Sequence, residues 1–116
     1  MEYWKLKYLD ADRRQLDASK ATGADTVEIH TGHYADAATA AQQEAEFSRI
    51  VDGIKYAASL GLRVNVGHGM NYTNTQRLVP IPEIQEYSIG HSIVARALMV
   101  GMESAVREMI ILLDGA

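Results

Sequence analysis

Three segments of the chain follow one pattern of apolar and polar positions, at 27–32, 64–69 and 87–91. Each begins with β-branched or aromatic residues, which favour a strand, and ends in polar residues and glycine. A helical spacing of apolar residues follows each segment. Strands that alternate with helices form parallel sheets, whose strands all end at the same edge. The pattern therefore predicts that the candidate chemistry lies on one rim of one sheet.

The same periodicities divide the whole chain into four strand–helix units. We predict strands at 3–9, 25–30, 62–66 and 86–89. Long helices are predicted from Asp12 to about Thr22, from Thr39 to Gly61, and over 92–100 and 102–113. A shorter helix is predicted within 71–79, before two prolines, and 31–38 is predicted to be a loop.

Capping signals support these helix boundaries. Asp12 is an N-cap candidate, and Thr39 and Gln42 have the spacing of a capping box. Gly23 and Gly61 are predicted to end the first two helices. The apolar face of the second helix consists of Phe47, Ile50, Val51, Ile54 and Ala58.

The predicted fold class is α/β, with four β-α units and parallel strands in a single domain over 1–116. A closed (β/α)₈ barrel, or TIM barrel, needs about 250 residues, so the chain corresponds to a (β/α)₄ half-barrel. Such a sheet leaves two edges and an inner face uncovered. We therefore expect a homodimer or a higher homo-oligomer.

Composition narrows the class of partner. The net charge is -4 and the basic residues are scattered, which argues against nucleic acid as a partner. The absence of cysteine excludes disulfides, thiolate catalysis and cysteine-ligated zinc. There is neither an apolar N-terminal signal nor an apolar stretch of about 18 residues. We expect a soluble cytoplasmic protein that does not bind membranes.

Three motifs in order resemble pyridoxine 5′-phosphate synthase. They are Glu-Ile-His-Thr-Gly-His-Tyr-Ala-Asp at 28–36, Ala-Ser-Leu-Gly-Leu-Arg-Val-Asn-Val-Gly-His-Gly at 58–69, and Ile-Gly-His at 89–91 with Arg96 and Ala97. The sequence Asp-Ala-Asp at 10–12 also looks like the end of that family's fifth strand. The resemblance covers about 9–113 and matches the C-terminal half of the family's (β/α)₈ barrel.

The resemblance implies a vitamin B6 biosynthetic transferase with phosphorylated small-molecule substrates. The family condenses 1-deoxy-D-xylulose 5-phosphate with 3-amino-2-oxopropyl phosphate to form pyridoxine 5′-phosphate. The family's N-terminal half, with its Asn-x-Asp-His segment, its His-x-Arg pair and a second catalytic glutamate, has no counterpart here. Residues 1–8 also depart from the family and form a divergent N-terminal strand, in which Lys5 and Lys7 take places that an interior strand would fill with apolar residues. We expect the half chain alone to be inactive.

Five residues are candidates for the site. His68 lies between two glycines just past a strand, and imidazoles titrate near neutral pH. The resemblance makes it the donor of a proton to departing water, and makes Glu28 a catalytic or substrate-orienting carboxylate. Glu28 alternates with its apolar neighbours and so faces the barrel interior. A carboxylate buried there needs a polar or charged partner or a function. Gly69, Gly90 and His91 are the predicted phosphate ligands, since a helix that begins after Gly90 offers free N–H groups.

Other interpretations of these residues stay open. His68 could simply bond a turn, Glu28 could form an ion pair inside the barrel, and the glycines could form a tight turn without ligand. A metal-dependent hydrolase built on His30, His33 and His68 is a further alternative. A half-barrel that dimerises without turnover and at most binds phosphate is another. The favoured hypothesis includes no metal and no cofactor.

Overall fold

The structure is a computed structural model that describes residues 6–115, with the backbone alone for residues 6 and 7. Four parallel strands form one sheet in the order β1-β2-β3-β4. The strands are β1 Leu6–Leu9, β2 Thr26–His30, β3 Arg63–Gly67 and β4 Ile84–Ser88. The α/β class and the parallel sheet predicted from the sequence are confirmed. Residues 1–5 of the divergent N-terminal strand, including Lys5, lie outside the described residues.

Among the described residues, five α-helices accompany the sheet. They are α1 Arg13–Ala21, α2 Gly32–Ala35, α3 Ala40–Ser59, α4 His91–Val100 and α5 Met102–Leu113. No helix within residues 6–115 combines the length and the apolar character that crossing a membrane requires.

Two connections differ from the sequence prediction. The segment 31–38, predicted to be a loop, contains the one-turn helix α2. The connection from β3 to β4, predicted to hold a short helix within 71–79, forms only a 3₁₀ turn at Asn74–Arg77. Asn71 supports this turn by accepting hydrogen bonds from the N–H groups of Thr73 and Asn74, both at 2.8 Å. The third β-α unit therefore lacks an α-helix.

The predicted caps start both long N-terminal helices. Asp12 accepts a hydrogen bond from the N–H of Arg14 at 2.9 Å, and Thr39 accepts one from the N–H of Gln42 at 3.1 Å. The Gln42 side chain returns to the N–H of Ala38, one residue before the cap, at 3.2 Å. These bonds satisfy N–H groups that have no partner inside the helix.

The core lies on one face of the sheet, between the strands and the long helices. Val27, Ile29, Val64 and Val66 of the two central strands are fully buried there. The helix residues that meet them are Leu16, Ile50, Ile54 and Ala57. Of the predicted apolar face of α3, Ile50 and Ile54 are buried, whereas Phe47, Val51 and Ala58 are only partly buried and Ala57 takes the central place.

The opposite face of the sheet is polar, and no helix of residues 6–115 packs on it. Tyr8, Glu28, Asn65 and Glu86 lie side by side across it in register, followed by a row of His30, Gly67 and Ser88. The register shifts between Val64 and Asn65 because β4 has one additional residue, Gln85. This bulge sets Ile84 and Tyr87 on the core face although they are three positions apart.

Candidate active site

The carboxyl ends of β2, β3 and β4 open into a cleft of about 690 Å³. All five residues predicted from the sequence line this cleft, namely Glu28, His68, Gly69, Gly90 and His91. The remaining lining residues are Tyr8, His30, Gly67, Met70, Asn71, Ser88, Ile89 and Ser92. The structure thus brings together, from three strands, residues that are up to 63 positions apart in the chain.

Glu28 lies on the polar face of β2 and is buried, with 8% of its surface exposed. Its carboxylate lies directly over Gly67 of the neighbouring strand, so closely that a side chain at position 67 would overlap with Oε1. The glycine at the end of β3 therefore creates the room that the carboxylate occupies. The alternation with Val27 and Ile29 predicts this orientation correctly.

His68 has a backbone conformation that is uncommon for a residue with a side chain. Its φ angle is 91°, and Gly69 follows with φ of 74°. Such strain in a non-glycine residue persists only where the surrounding structure enforces it, and it concentrates at functional sites. A Cβ atom at Gly69 would lie 2.5 Å from Cβ of Ala35, so glycine is needed there for space as well.

His30 lies beside His68 in the cleft. The two rings are stacked, with centroids 4.3 Å apart and planes inclined by 23°. Nδ1 of His30 accepts a hydrogen bond from the N–H of Gly32 at 3.2 Å, which places the proton of the neutral ring on Nε2. The ring of His33 meets that of His30 edge-on at 6.5 Å.

This arrangement bears on the metal alternative. Stacked imidazoles direct their lone pairs side by side and not toward a common point, and one nitrogen of His30 is already engaged. Within residues 6–115, no three His, Cys, Asp or Glu side chains form a group that could hold a metal ion. The described geometry gives the hydrolase hypothesis no ligand set.

Gly90 and His91 stand where α4 begins, at the mouth of the cleft. Gly90 is the N-cap residue and provides no side-chain bond to the helix, so the first N–H groups of α4 point outward without a cap. The hydroxyl of Ser92 donates to the carbonyl oxygen of Met70 at 2.8 Å and ties this helix start to the loop after β3. Free N–H groups at a helix start form a suitable site for an anion.

Sequence reasoning missed the residue that holds the His68 turn. Thr31 follows β2 directly and is fully buried. Its hydroxyl lies 2.7 Å from the carbonyl oxygen of Gly67 and 2.6 Å from that of His68, and its N–H donates to Gly67 at 2.8 Å. The partners are 36 and 37 positions away, so no local pattern could reveal the contact.

Comparison with known proteins identifies the family of the chain. Residues 5–115 match the family described as Pyridoxal phosphate biosynthesis protein PdxJ. The chain belongs to the PdxJ family. Because the match covers nearly the whole chain, all residues of the cleft fall within the PdxJ region.

Several curated PdxJ relatives carry the name pyridoxine 5′-phosphate synthase. The protein from Maridesulfovibrio salexigens is 56% identical over 103 residues, which are 89% of this chain and 43% of the relative. The protein from Idiomarina loihiensis is 50% identical over 109 residues, 94% of this chain and 45% of the relative. That from Pseudoalteromonas translucida is 54% identical over 102 residues, 88% and 42% respectively. The chain thus spans less than half the length of these relatives.

Proposed function

We propose that this chain is the C-terminal half of a pyridoxine 5′-phosphate synthase and forms one half of its active site. The observation that carries the proposal is the meeting of Glu28, His68, Gly69, Gly90 and His91 around one cleft. The relatives' name supplies the reaction, and the resemblance supplies the substrates, 1-deoxy-D-xylulose 5-phosphate and 3-amino-2-oxopropyl phosphate. A cytoplasmic location is part of the proposal.

The chemistry assigned to each residue follows from its place in the cleft. Ring closure to a pyridine expels water, and an imidazole can give the departing oxygen its proton. We assign this step to His68, whose backbone is held rigidly at the end of β3. We assign substrate orientation to Glu28, whose buried carboxylate faces the same cleft.

We propose that the phosphate group of one substrate binds at Gly69, Gly90 and His91. The uncapped N–H groups at the start of α4 provide hydrogen-bond donors and the positive end of the helix dipole. Barrels often bind phosphate in the loops after their seventh and eighth strands. By the resemblance, those are the loops after β3 and β4.

The polar face of the sheet supports a half-barrel. In a closed barrel this face points inward, and in the part of this chain that the structure describes no helix covers it.

Activity should require the missing half. Condensation needs a base that forms the carbon nucleophile and a second phosphate site, and the resemblance places both on strands this chain lacks. We expect the chain alone to form no pyridoxine 5′-phosphate, and a mixture with the N-terminal half of a family member to form it. His68→Ala should lower the rate of the mixture by about 100-fold or more.

His33 provides the matched control for this experiment. It is exposed on α2, three positions after His30, and does not line the cleft. His33→Ala should therefore keep the activity of the mixture. Rapid product formation by the chain alone would contradict the proposal, as would an active His68→Ala mixture.

A non-catalytic half-barrel that self-associates is the second candidate. The helix α4 favours it, because none of its residues is buried and Leu98 and Met99 are 84% and 80% exposed. An apolar surface of this kind is typical of an interface. The complementation assay separates the two candidates, since this one predicts no product in any mixture.

A further inference from the structure

One side chain of the segment that follows β2 holds the start of the segment that follows β3. The Thr31 hydroxyl contacts two successive carbonyl oxygens, those of Gly67 and His68, at 2.7 and 2.6 Å. Its one proton is shared between them, and the Thr31 N–H adds a third bond, to Gly67. Thr31 is fully buried, so water does not compete for these bonds.

The residue held in this way is the strained one. His68 has φ of 91°, a conformation that favours glycine. Rotating the His68 backbone to negative φ would change the direction of its carbonyl group and break the contact with Thr31. The hydrogen bond from the Thr31 hydroxyl therefore stabilises the backbone conformation that the side chain of His68 disfavours.

The His68 ring direction follows from this backbone. The ring is stacked on His30, whose Nδ1 is in turn fixed by the N–H of Gly32. A Cβ atom at position 32 would lie 2.9 Å from Cδ2 of His68, so the two rings pack directly against the backbone of Gly32. Both the backbone and the stacking partner thus depend on residues 30–32.

We propose that Thr31 is a positioning residue for His68. Its hydroxyl holds His68 in the left-handed conformation and so places the imidazole against His30 at the rim of the cleft. The role of this ring position in catalysis rests on the function proposed for His68. The position of the ring itself is measured without substrate.

The test removes the hydroxyl and observes the rings by NMR. Thr31→Val keeps the shape of the side chain and deletes the hydrogen bond. We expect the nuclear Overhauser cross-peaks between the His30 and His68 rings to weaken or disappear, because loss of one hydrogen bond shifts the ratio of the two His68 conformations by about fivefold. Thr31→Ser, which keeps the hydroxyl, should retain the cross-peaks.

Thr75→Val is the matched control. Thr75 is also fully buried, but its hydroxyl has no hydrogen-bond partner among the described residues. This variant should keep the cross-peaks between the rings. Unchanged cross-peaks in Thr31→Val would overturn the proposal, and so would their loss in Thr31→Ser.

A second variant keeps the test decisive if Thr31→Val does not fold. Glycine adopts positive φ without help, so His68→Gly removes the need for the clamp. The double variant Thr31→Val/His68→Gly should then recover a folded spectrum, and its failure to do so would overturn the proposal. None of these measurements uses phosphate or substrate, so a negative result here does not contradict the proposed function. A negative complementation assay, in turn, does not contradict the role of Thr31.

Discussion

The glycines that line the cleft differ in how strongly a side chain at their position would disturb the fold. At Gly69 a side chain would meet Ala35, and the positive φ adds strain. At Gly90 an added Cβ meets no atom within 4 Å and φ is not positive. Position 90 can therefore be changed without disturbing the fold, which makes it the better probe of ligand binding.

We expect Gly90→Val to abolish phosphate binding and leave the chain folded, at a cost in stability of about 1 kcal/mol because valine is a poorer N-cap than glycine. The valine side chain would cover the first N–H groups of α4, which are the proposed donors. Calorimetry with inorganic phosphate measures the binding, and denaturant unfolding measures the stability. Equal phosphate affinity in Gly90→Val and the parent chain would refute the assignment.

The site residues show how far the sequence alone reaches. The orientation of Glu28 was predictable, because alternation along a strand determines which face a side chain takes. That His68 and His91 lie at the same cleft was also predictable, since parallel strands end at the same rim. The contact between Thr31 and His68 was not, because it depends on the exact register of two strands.

At the scale of elements, residue spacing predicts long helices better than short connections. The bounds of α5 were predicted to the residue, and Asp12 and Thr39 cap their helices as expected. The turn of α2 and the 3₁₀ turn at Asn74–Arg77 were mispredicted. Segments of four residues are too short to show a helical periodicity, so tertiary contacts decide their form. The position of Tyr34 illustrates this, since its hydroxyl bonds the carbonyl oxygen of Asn74.

The pairing of α4 with α5 should respond to acid. Arg96 makes two hydrogen bonds to the Glu108 carboxylate, at 2.9 and 3.2 Å. These bonds hold the pKa of Glu108 below its ordinary value of 4.5, against a smaller opposing effect of desolvation. A lowered folded pKa stabilises the chain above pH 4.5, and this contribution is lost as the pH falls through the folded value.

We therefore expect Glu108→Gln to lose less stability between pH 7 and pH 3 than the parent chain does, as measured by denaturant midpoints. Both groups are partly exposed, so the difference will be small. Arg96→Gln removes the same interaction from the other side and should reduce the acid dependence in the same direction. If neither variant differs from the parent chain, the ion pair does not couple the helices.

At the scale of the whole molecule, the described residues form a slab of 45 × 43 × 22 Å with two incomplete surfaces. One is the polar face of the sheet with its free edges. The other is the apolar surface of α4 and α5. It consists of Val94, Leu98, Met99, Met102, Val106, Ile110 and Ile111, all more than a third exposed. A chain with such surfaces is expected to associate.

We predict that the chain in solution is a dimer or larger, with a mass by light scattering of at least twice 12.8 kDa. Leu98→Asp should weaken the association about tenfold or more, since it places a charge at the most exposed residue of the apolar surface. Ala18→Asp changes an exposed position on α1 and serves as the control. A mass of 12.8 kDa at micromolar concentration would contradict the prediction.

The additional residue in β4 has a consequence for how such chains can change in length. Losing one residue from a strand normally turns every later side chain to the opposite face. Here the loss of Gln85 would restore a regular alternation, with Ile84 and Tyr87 still on the core face and Glu86 and Ser88 still on the polar face. A deletion at this position would preserve the approach to Gly90 and His91, whereas the same deletion within β2 would invert Glu28 or His30. Two of the strands that build the cleft, β2 and β4, therefore differ in their tolerance of insertions and deletions.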